Sequence, residues 1–352
     1  MHRAYINGIS SISPQYENIF EDGNLTEYEE NIMPAIEVDY KSQIKPMMLR
    51  RMSKAVKMGL FCSKKALLEA GVELPDAIIV GTGQGCLQDT EKFMMNMLDS
   101  EEGLLSPTSF IQSTHNTVAG QIALDLKCKG YNMTFTQNAV SFESALIDGL
   151  LQLEDENIKH VLVGGVDEIS NKFTGFQRLD AQIKTENINN LELLSSETSG
   201  TIISESAAFF SLSSEITDNS YCELKDAAIL NSLEVSNITQ EIDRFLKRNN
   251  TSVSEIDVVV LGNNGDARFD HYYKELQDSI FSDKCHVAYK HLIGENNSVS
   301  SYALILASRI LKEKKISDIF KLNTLNCANP RNILIYNQYL GKNHGLILLQ
   351  SL

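Results

Sequence analysis

The chain has 352 residues, 43% of them hydrophobic, and a net charge of -15. That length supplies core for one large body or two fused units, and no apolar run reaches the roughly 18 residues that cross a bilayer. The acid excess, with Lys and Arg gathered only in short pairs, argues against nucleic acid or an anionic membrane as the main partner. The first ten residues lack the continuous apolar stretch of a secretion signal, so a cytoplasmic protein is expected. Six cysteines (Cys62, Cys86, Cys128, Cys222, Cys285, Cys327) stand far apart with no CxxC spacing. This speaks against a disulfide framework or a zinc site and for buried free thiols. No metal and no cofactor is expected.

In chain order, residues 4–9 read as a strand. Residues 53–70 carry apolar side chains at Ala55, Met58, Phe61, Cys62, Ala66 and Leu67 and stop at Gly71, the pattern of a helix closed by a left-handed cap. Segments 77–81, 132–136, 160–164 and 207–212 read as further strands. The stretch 185–201 is polar and aperiodic, which predicts a surface loop. After Ser214 the alternation starts again: strand 222–230, helix 237–249, strand 256–261, helix 300–312, and strands 333–336 and 345–349. No Pro-, Gly- or Ser-rich linker separates the two parts, and six prolines occur in all. The expectation is a layered α/β protein of two similar halves, residues 1–215 and 216–352, sharing one body.

The chemical centre is expected just after strand 132–136. Phe142, Ala145, Leu146, Gly149, Leu150 and Leu153 recur at helical spacing there, so 137–141 forms a strand-to-helix elbow. A helix N-terminus stabilises an anion and lowers the pKa of a cysteine thiol, which makes such an elbow a good seat for a nucleophile. This elbow reads Gln137-Asn138-Ala139-Val140-Ser141 and holds no cysteine.

Several segments together resemble a β-ketoacyl synthase. Residues 3–14 (RAYINGISSISP) look like the opening strand of that family, and 76–85 (DAIIVGTGQG) like its next strand and glycine turn. Residues 106–136 are similar to the segment leading to the catalytic elbow, and Gly164-Gly165 follows at the family's spacing. Residues 200–212 (GTIISESAAFFSL) look like its glycine-glutamate-alanine strand, with Glu205 in the glutamate's place. The resemblance covers essentially the whole chain and is weaker in the second half.

The resemblance implies a thiolase-like fold of two similar halves in an α-β-α-β-α layered arrangement, and usually a dimer. Active members carry the acyl chain on a cysteine and use two histidines to decarboxylate a malonyl carrier thioester. Counting nine residues on from Gly130, or 25 back from Gly164, puts Ala139 at the cysteine. The first histidine falls on Gly262 in the run Leu261 to Asp266, and the second on Glu295 after Lys290-His291-Leu292-Ile293-Gly294. Lys290 alone of the reactive set is retained. The family's lysine partner on the following helix corresponds to Leu304, so Glu295 is expected to neutralise Lys290 instead, since an unpaired buried ammonium is costly.

Losing one positioned acid or base costs on the order of 10² to 10⁴ in rate, and here the nucleophile and both histidines are gone together. Possible substitutes have bland readings beside them. Ser141 fits an N-cap, and Cys86 and Cys128 fit ordinary packing or surface placement. His115 fits a hydrogen-bonded structural histidine. A two-residue shift would put Gln137 at the cysteine position, as in chain length factors, but the glycine anchors oppose it.

The reading is a catalytically silent homologue resembling a chain length factor, which pairs with an active ketosynthase and shapes the acyl tunnel in fatty-acid or polyketide-type biosynthesis. An aryl polyene, a related pigment or another polyketide-like product would all fit. Phe110, Ile111 and Thr114 are expected at the dimer interface, either lining the tunnel or packing the dimer core. An acyl carrier protein, typically acidic, would be drawn to the partner subunit unless this chain offers a basic patch. Two alternatives stay open: a diverged condensing or acyl-transfer enzyme using Ser141 or a cysteine, and a non-catalytic homodimer that binds an acyl thioester or carrier protein.

Overall fold

In a computed structural model, residues 3–21, 25–50, 52–101, 103–325 and 327–352 are described. Strand β1 (Ala4–Ile12) opens the chain, and helix α1 (Lys54–Ala70) crosses behind it. Ser53 caps α1 by accepting the Val56 N–H, and Gly71 ends it at φ 68°, a left-handed turn that glycine takes without a Cβ penalty. Strand β2 (Ala77–Gly81) follows, then helices α2 (Leu87–Asp99), α3 (Pro107–Gln112) and α4 (Thr117–Leu126). Next come β3 (Tyr131–Phe135), α5 (Ser141–Gln152), β4 (His160–Asp167), α6 (Asn171–Leu179) and β5 (Ser206–Ser213).

The second series runs β6 (Cys222–Asn231), α7 (Ile238–Arg248), β7 (Val258–Leu261), α8 (His271–Asp278), β8 (Cys285–Ala288), α9 (Ser300–Glu313), β9 (Asn332–Tyr339) and β10 (Asn343–Gln350). The strand order is β8-β7-β9-β10-β6-β1-β5-β4-β2-β3. Each series therefore lays down its five strands in the order third, second, fourth, fifth, first. Within each, the central pairs are parallel and the fifth strand is antiparallel. The two sets join where β1 meets β6 over Ala4↔Leu224, Tyr5↔Glu223 and Ile6↔Cys222.

Strand alternation sorts the side chains into layers. Ala77 and Ile79 of β2, and Val258 and Val260 of β7, face a shared central core with α5 and α9. Ile78 and Val80 face α1 and α4 on one outside, while Val259 and Leu261 face α7 and α8 on the other. The result is helix, sheet, helix, sheet, helix. Helix α9 is apolar nearly all round, as a helix enclosed between two sheets must be. Leu304 on it is fully buried, worth about 1.5–3 kcal/mol of transfer free energy.

The stretch 185–201 is largely the surface loop its polarity predicts, with a few residues turned inward. It holds the short helical turn Asn190–Ser195, with Asn190 and Leu193 buried, and Asn190 Nδ2 donates to the His291 carbonyl at 2.6 Å. Polar side chains satisfied inside the protein do not signal burial in a hydropathy pattern. All six cysteines are free, and among the described residues no cluster of metal-binding side chains occurs and no helix is long and apolar enough to cross a membrane.

Candidate functional site

The elbow links β3 to α5 through a short turn, Asn138–Val140, with Asn138 left-handed at φ 51°. Ser141 closes it. Its hydroxyl donates to the Asn138 carbonyl at 2.6 Å and accepts the Gln137 N–H at 2.8 Å, and the residue is fully buried. The serine is thus committed to shaping the turn; it is the first residue of α5 and caps none of that helix's N–H groups, unlike the N-cap expected of it. Ala139 is buried and offers only a methyl group. Gln137 is exposed, with its Oε1 accepting the Ser144 hydroxyl, so it does not occupy the buried elbow position.

The loop after β7 carries Gly262, and the space a side chain would fill there is taken. A Cβ at 262 would overlap Asn337 Oδ1 and lie 2.9 Å from the Tyr273 hydroxyl. Farther along, the Asn264 and Gly265 amides donate to the half-buried Asp270 carboxylate at 3.3 and 2.9 Å. Burial raises the Asp270 carboxyl to about 6 against the pull of those donors.

The third element is the one-turn helix Lys290–Ile293 after β8. Gly294 (φ 77°) packs against Ser204, and Glu295 follows, hydrogen-bonded through its backbone to Ile202 and Ser204. Lys290 Nζ donates to Glu295 Oε2 at 2.6 Å, and Asn264 Nδ2 donates to the same oxygen at 2.7 Å. Lys290 is completely buried and Glu295 nearly so. Burial lifts the Glu295 carboxyl above its ordinary value, with the Lys290 ammonium and Asn264 pulling it back.

A fourth group, absent from the sequence reading, completes this interior. Glu143 sits one turn into α5 from Ala139, is buried, and neither carboxyl oxygen has a hydrogen-bond partner among the described residues. Its carboxyl occupies the space above Gly345 of β10, where any Cβ would collide with it. Gly345 lies directly opposite Asn337 in the β9–β10 ladder. The two glycines, Gly262 and Gly345, thus make room for Asn337 and Glu143. Burial pushes the Glu143 carboxyl up to about 7, partly countered by Ser300 and Lys290. The one sequence signal was an acidic residue on a helix otherwise apolar toward the core.

Lys290, Glu295 and Asn264 are therefore brought together, with Gly262 two residues before Asn264. A cleft leads from Glu295 toward the elbow, although Ala139 itself does not line it: an inner cavity of about 40 Å³ touches Glu295, Thr201, Gln84 and Tyr339, and an outer part of about 300 Å³ opens at Asn138 and Lys342 and shares Gln84 and Tyr339. The inner part holds a few waters at most. The thiols are unpromising nucleophiles, since burial pushes Cys62, Cys86 and Cys222 up to about 12. Cys128 is half-buried with its Sγ near the Pro75 carbonyl at 3.3 Å. His115 is exposed, and no hydrogen bond to its ring occurs among the described residues, unlike the hydrogen-bonded histidine expected there.

Phe110 and Ile111, on α3, lie on the surface at 58% and 61% exposure. Phe110 packs against Phe93, and the half-buried Thr114 donates its hydroxyl to the Ile111 carbonyl at 3.0 Å. Met94, Leu98 and Leu104 are exposed on the same stretch of chain, and β3, with exposed Met133, is the terminal strand of the sheet.

The family model for the β-ketoacyl synthase N-terminal domain matches residues 27–199. Among solved structures, the ishigamide ketosynthase/chain length factor is similar at 14% identity and TM-score 0.82, covering 100% of this chain and 99% of that one. A β-ketoacyl synthase from Burkholderia phymatum is similar at 14% identity and TM-score 0.81, with 100% of both chains covered. A type II polyketide synthase acyl-carrier protein in complex with its ketosynthase gives 15% identity and TM-score 0.75, again over 100% of both chains. No curated protein matches the sequence. Residues 27–199 thus match the N-terminal domain of the β-ketoacyl synthases, and the chain as a whole shares its fold with the ketosynthase structures.

Proposed function

We propose that this chain is a catalytically silent member of the thiolase-like β-ketoacyl synthase superfamily, akin to a chain length factor, that pairs with an active ketosynthase and shapes its acyl tunnel. The observation that carries the reading is the refilled centre. Ala139 cannot form a thioester, the volume at Gly262 belongs to Asn337 and Tyr273, and Glu295 is tied to Lys290 and Asn264. No neutral imidazole stands at these three positions to polarise a thioester carbonyl, and a carboxylate there would oppose the developing oxyanion.

Pairing is supported by the exposed apolar face of α2, α3 and the β3 edge. An unpaired terminal strand beside exposed Phe110, Ile111 and Met133 is a surface that folded proteins ordinarily cover. In this reading Phe110, Ile111 and Thr114 line the tunnel where the two subunits meet, and the chain divides into halves at residues 215 and 216. The test is co-expression with a ketosynthase that keeps its cysteine and histidines, followed by size-exclusion chromatography. A one-to-one complex supports pairing; a stable homodimer that ignores the synthase supports the self-associating alternative.

A further inference from the structure

The two series of strands meet only over the pairs from Ala4↔Leu224 to Ile6↔Cys222, while β6 runs on to Asn231. One edge of residues 225–231 is taken by β10; among the described residues no strand pairs with the other. The break falls at a bulge, since Leu224 pairs with Leu349 and Asp226 with Leu348, leaving Lys225 as the extra residue. Just beyond it, Arg248 Nη2 donates to the Ala227 carbonyl at 3.3 Å. In an antiparallel ladder a residue's N–H and C=O point to one side. Ala227, and Ile229 two residues on, therefore direct their main-chain groups away from β10 and toward the open edge.

This edge borders a groove of about 480 Å³ whose facing wall is Ile147, Leu150 and Leu151 of α5. Leu151 is 57% exposed. The other series shows what covers such a face. Helix α9 follows the third strand of the second series as α5 follows that of the first. Along α9 lies the turn Glu17–Phe20: Phe20 stacks on Tyr302 at 6.2 Å, Arg309 stands 4.3 Å from its ring centre, and Ile19 is buried. On β1, the Ile9 N–H donates to Glu69 Oε2 at 2.6 Å. The face of α5 and β6 has no such stretch of chain over it among the described residues; only Arg248 reaches across, and its side chain is 53% exposed.

We infer that this groove docks an extended peptide segment of a partner protein, apolar at alternate positions, which adds to β6 in line with β1. The direction follows from register: a strand that continues the Ala4↔Leu224 pairing runs antiparallel to β6 and reaches Ala227 and Ile229. A peptide meets both demands of the site. Its main chain pairs the open N–H and C=O groups, and every second side chain enters the apolar groove. A small apolar ligand would fill the groove and leave the edge unpaired. Arg248 swings off the Ala227 carbonyl as the peptide enters and keeps its ion pair with Asp226. In the sheet order β6 stands five places from β3, so the site is separate from the surface given to the synthase. The inference goes beyond the silent-partner reading and does not depend on it.

The test selects a displayed library of random peptides, about ten residues long so as to span the edge at about 3.3 Å per residue, on the whole chain. Enriched peptides are then made synthetically and measured against the native chain, L151D and L68D, the last altering an exposed leucine of α1. We expect peptides with alternating apolar residues and a dissociation constant raised at least about tenfold by L151D and less than about twofold by L68D. N-methylation of the peptide's alternate amides should weaken binding by a similar factor, about tenfold, because the added strand can no longer donate to β6. Amide hydrogen exchange at Ala227 and Ile229 of the native chain should slow on binding, a readout that does not require L151D to fold. No enrichment, equal binding by L151D, or unchanged exchange at both amides overturns the inference. Slowed exchange with decanoate in place of any peptide, or a dimer of the native chain that L151D abolishes, also overturns it, the first in favour of a lipid-like ligand and the second in favour of a second copy.

Discussion

Lys290 and Glu295 form an ion pair at 2.6 Å in which both groups are removed from solvent. The lysine sits on the one-turn helix after β8, and the carboxylate that meets it follows five residues later in the chain. A buried pair of this kind adds little net stability compared with apolar residues, but breaking one side leaves an uncompensated charge. E295L should therefore cost about 3–5 kcal/mol in denaturant unfolding, and K290M/E295L should recover most of that loss. A single-variant cost below about 1 kcal/mol would show that the pair is not what neutralises the lysine.

Restoring the missing residues one at a time should not restore chemistry. G262H must displace Asn337 and crowd Tyr273, so it should lower stability by about 1–3 kcal/mol, the usual range for overpacking. A139C, at a buried position in the elbow, should fold and take up no acyl group efficiently. Thermal melts and condensation assays of the two variants check both statements; an active A139C would mean that the remaining groups suffice.

Glu143 gives the stability a definite pH slope. Its carboxyl is raised from 4.5 to about 7 in the folded state, so between those values the native protein holds a proton that the unfolded chain has lost. The contribution is fully present below the unfolded value and is lost as pH rises through 7. E143Q, which is neutral throughout, should stabilise the protein at pH 8 by about 1–3 kcal/mol and do little at pH 4.5. His344 acts on the other side. Burial lowers it from 6.5 to about 4, so its contribution is present above 6.5 and is lost as pH falls toward 4. Unfolding free energies measured from pH 4 to 9 for the native chain and E143Q decide the matter, and superimposable slopes would contradict it.

Much of the fold was legible because alternation and helical periodicity are local. Helix α1 with its Ser53 and Gly71 caps, strand β2, and the elbow before α5 could all be read from spacing. Strand β8 was missed because its short run, Cys285-His286-Val287-Ala288, is broken by a histidine, unlike the all-apolar β7, and α2 and α8 because their apolar faces are narrow. Ala139 was placed by counting from glycine anchors and Gly262 and Glu295 by local motifs, but the occupancy of the space at Gly262 by Asn337 depends on the β9–β10 register, which no local window contains. Glu143 escaped for the same reason: its significance is the empty space above Gly345, two hundred residues away in the chain.

The exposed apolar face should matter for assembly and not for folding. F110D/I111K changes two surface positions, so monomer stability should move by no more than about 0.5 kcal/mol for each. The complex with the synthase should be lost on size-exclusion chromatography. Retention of the complex would move the interface away from α3.

The most direct test of the silent-partner account is the intact mass of the purified chain after incubation with malonyl and longer acyl carrier thioesters, with an active synthase treated in parallel. The account predicts an acyl adduct on the synthase and no mass gain on this chain. An adduct mapping to Ser141 or to any of the six cysteines would contradict it and make the chain a diverged acyl-transfer enzyme.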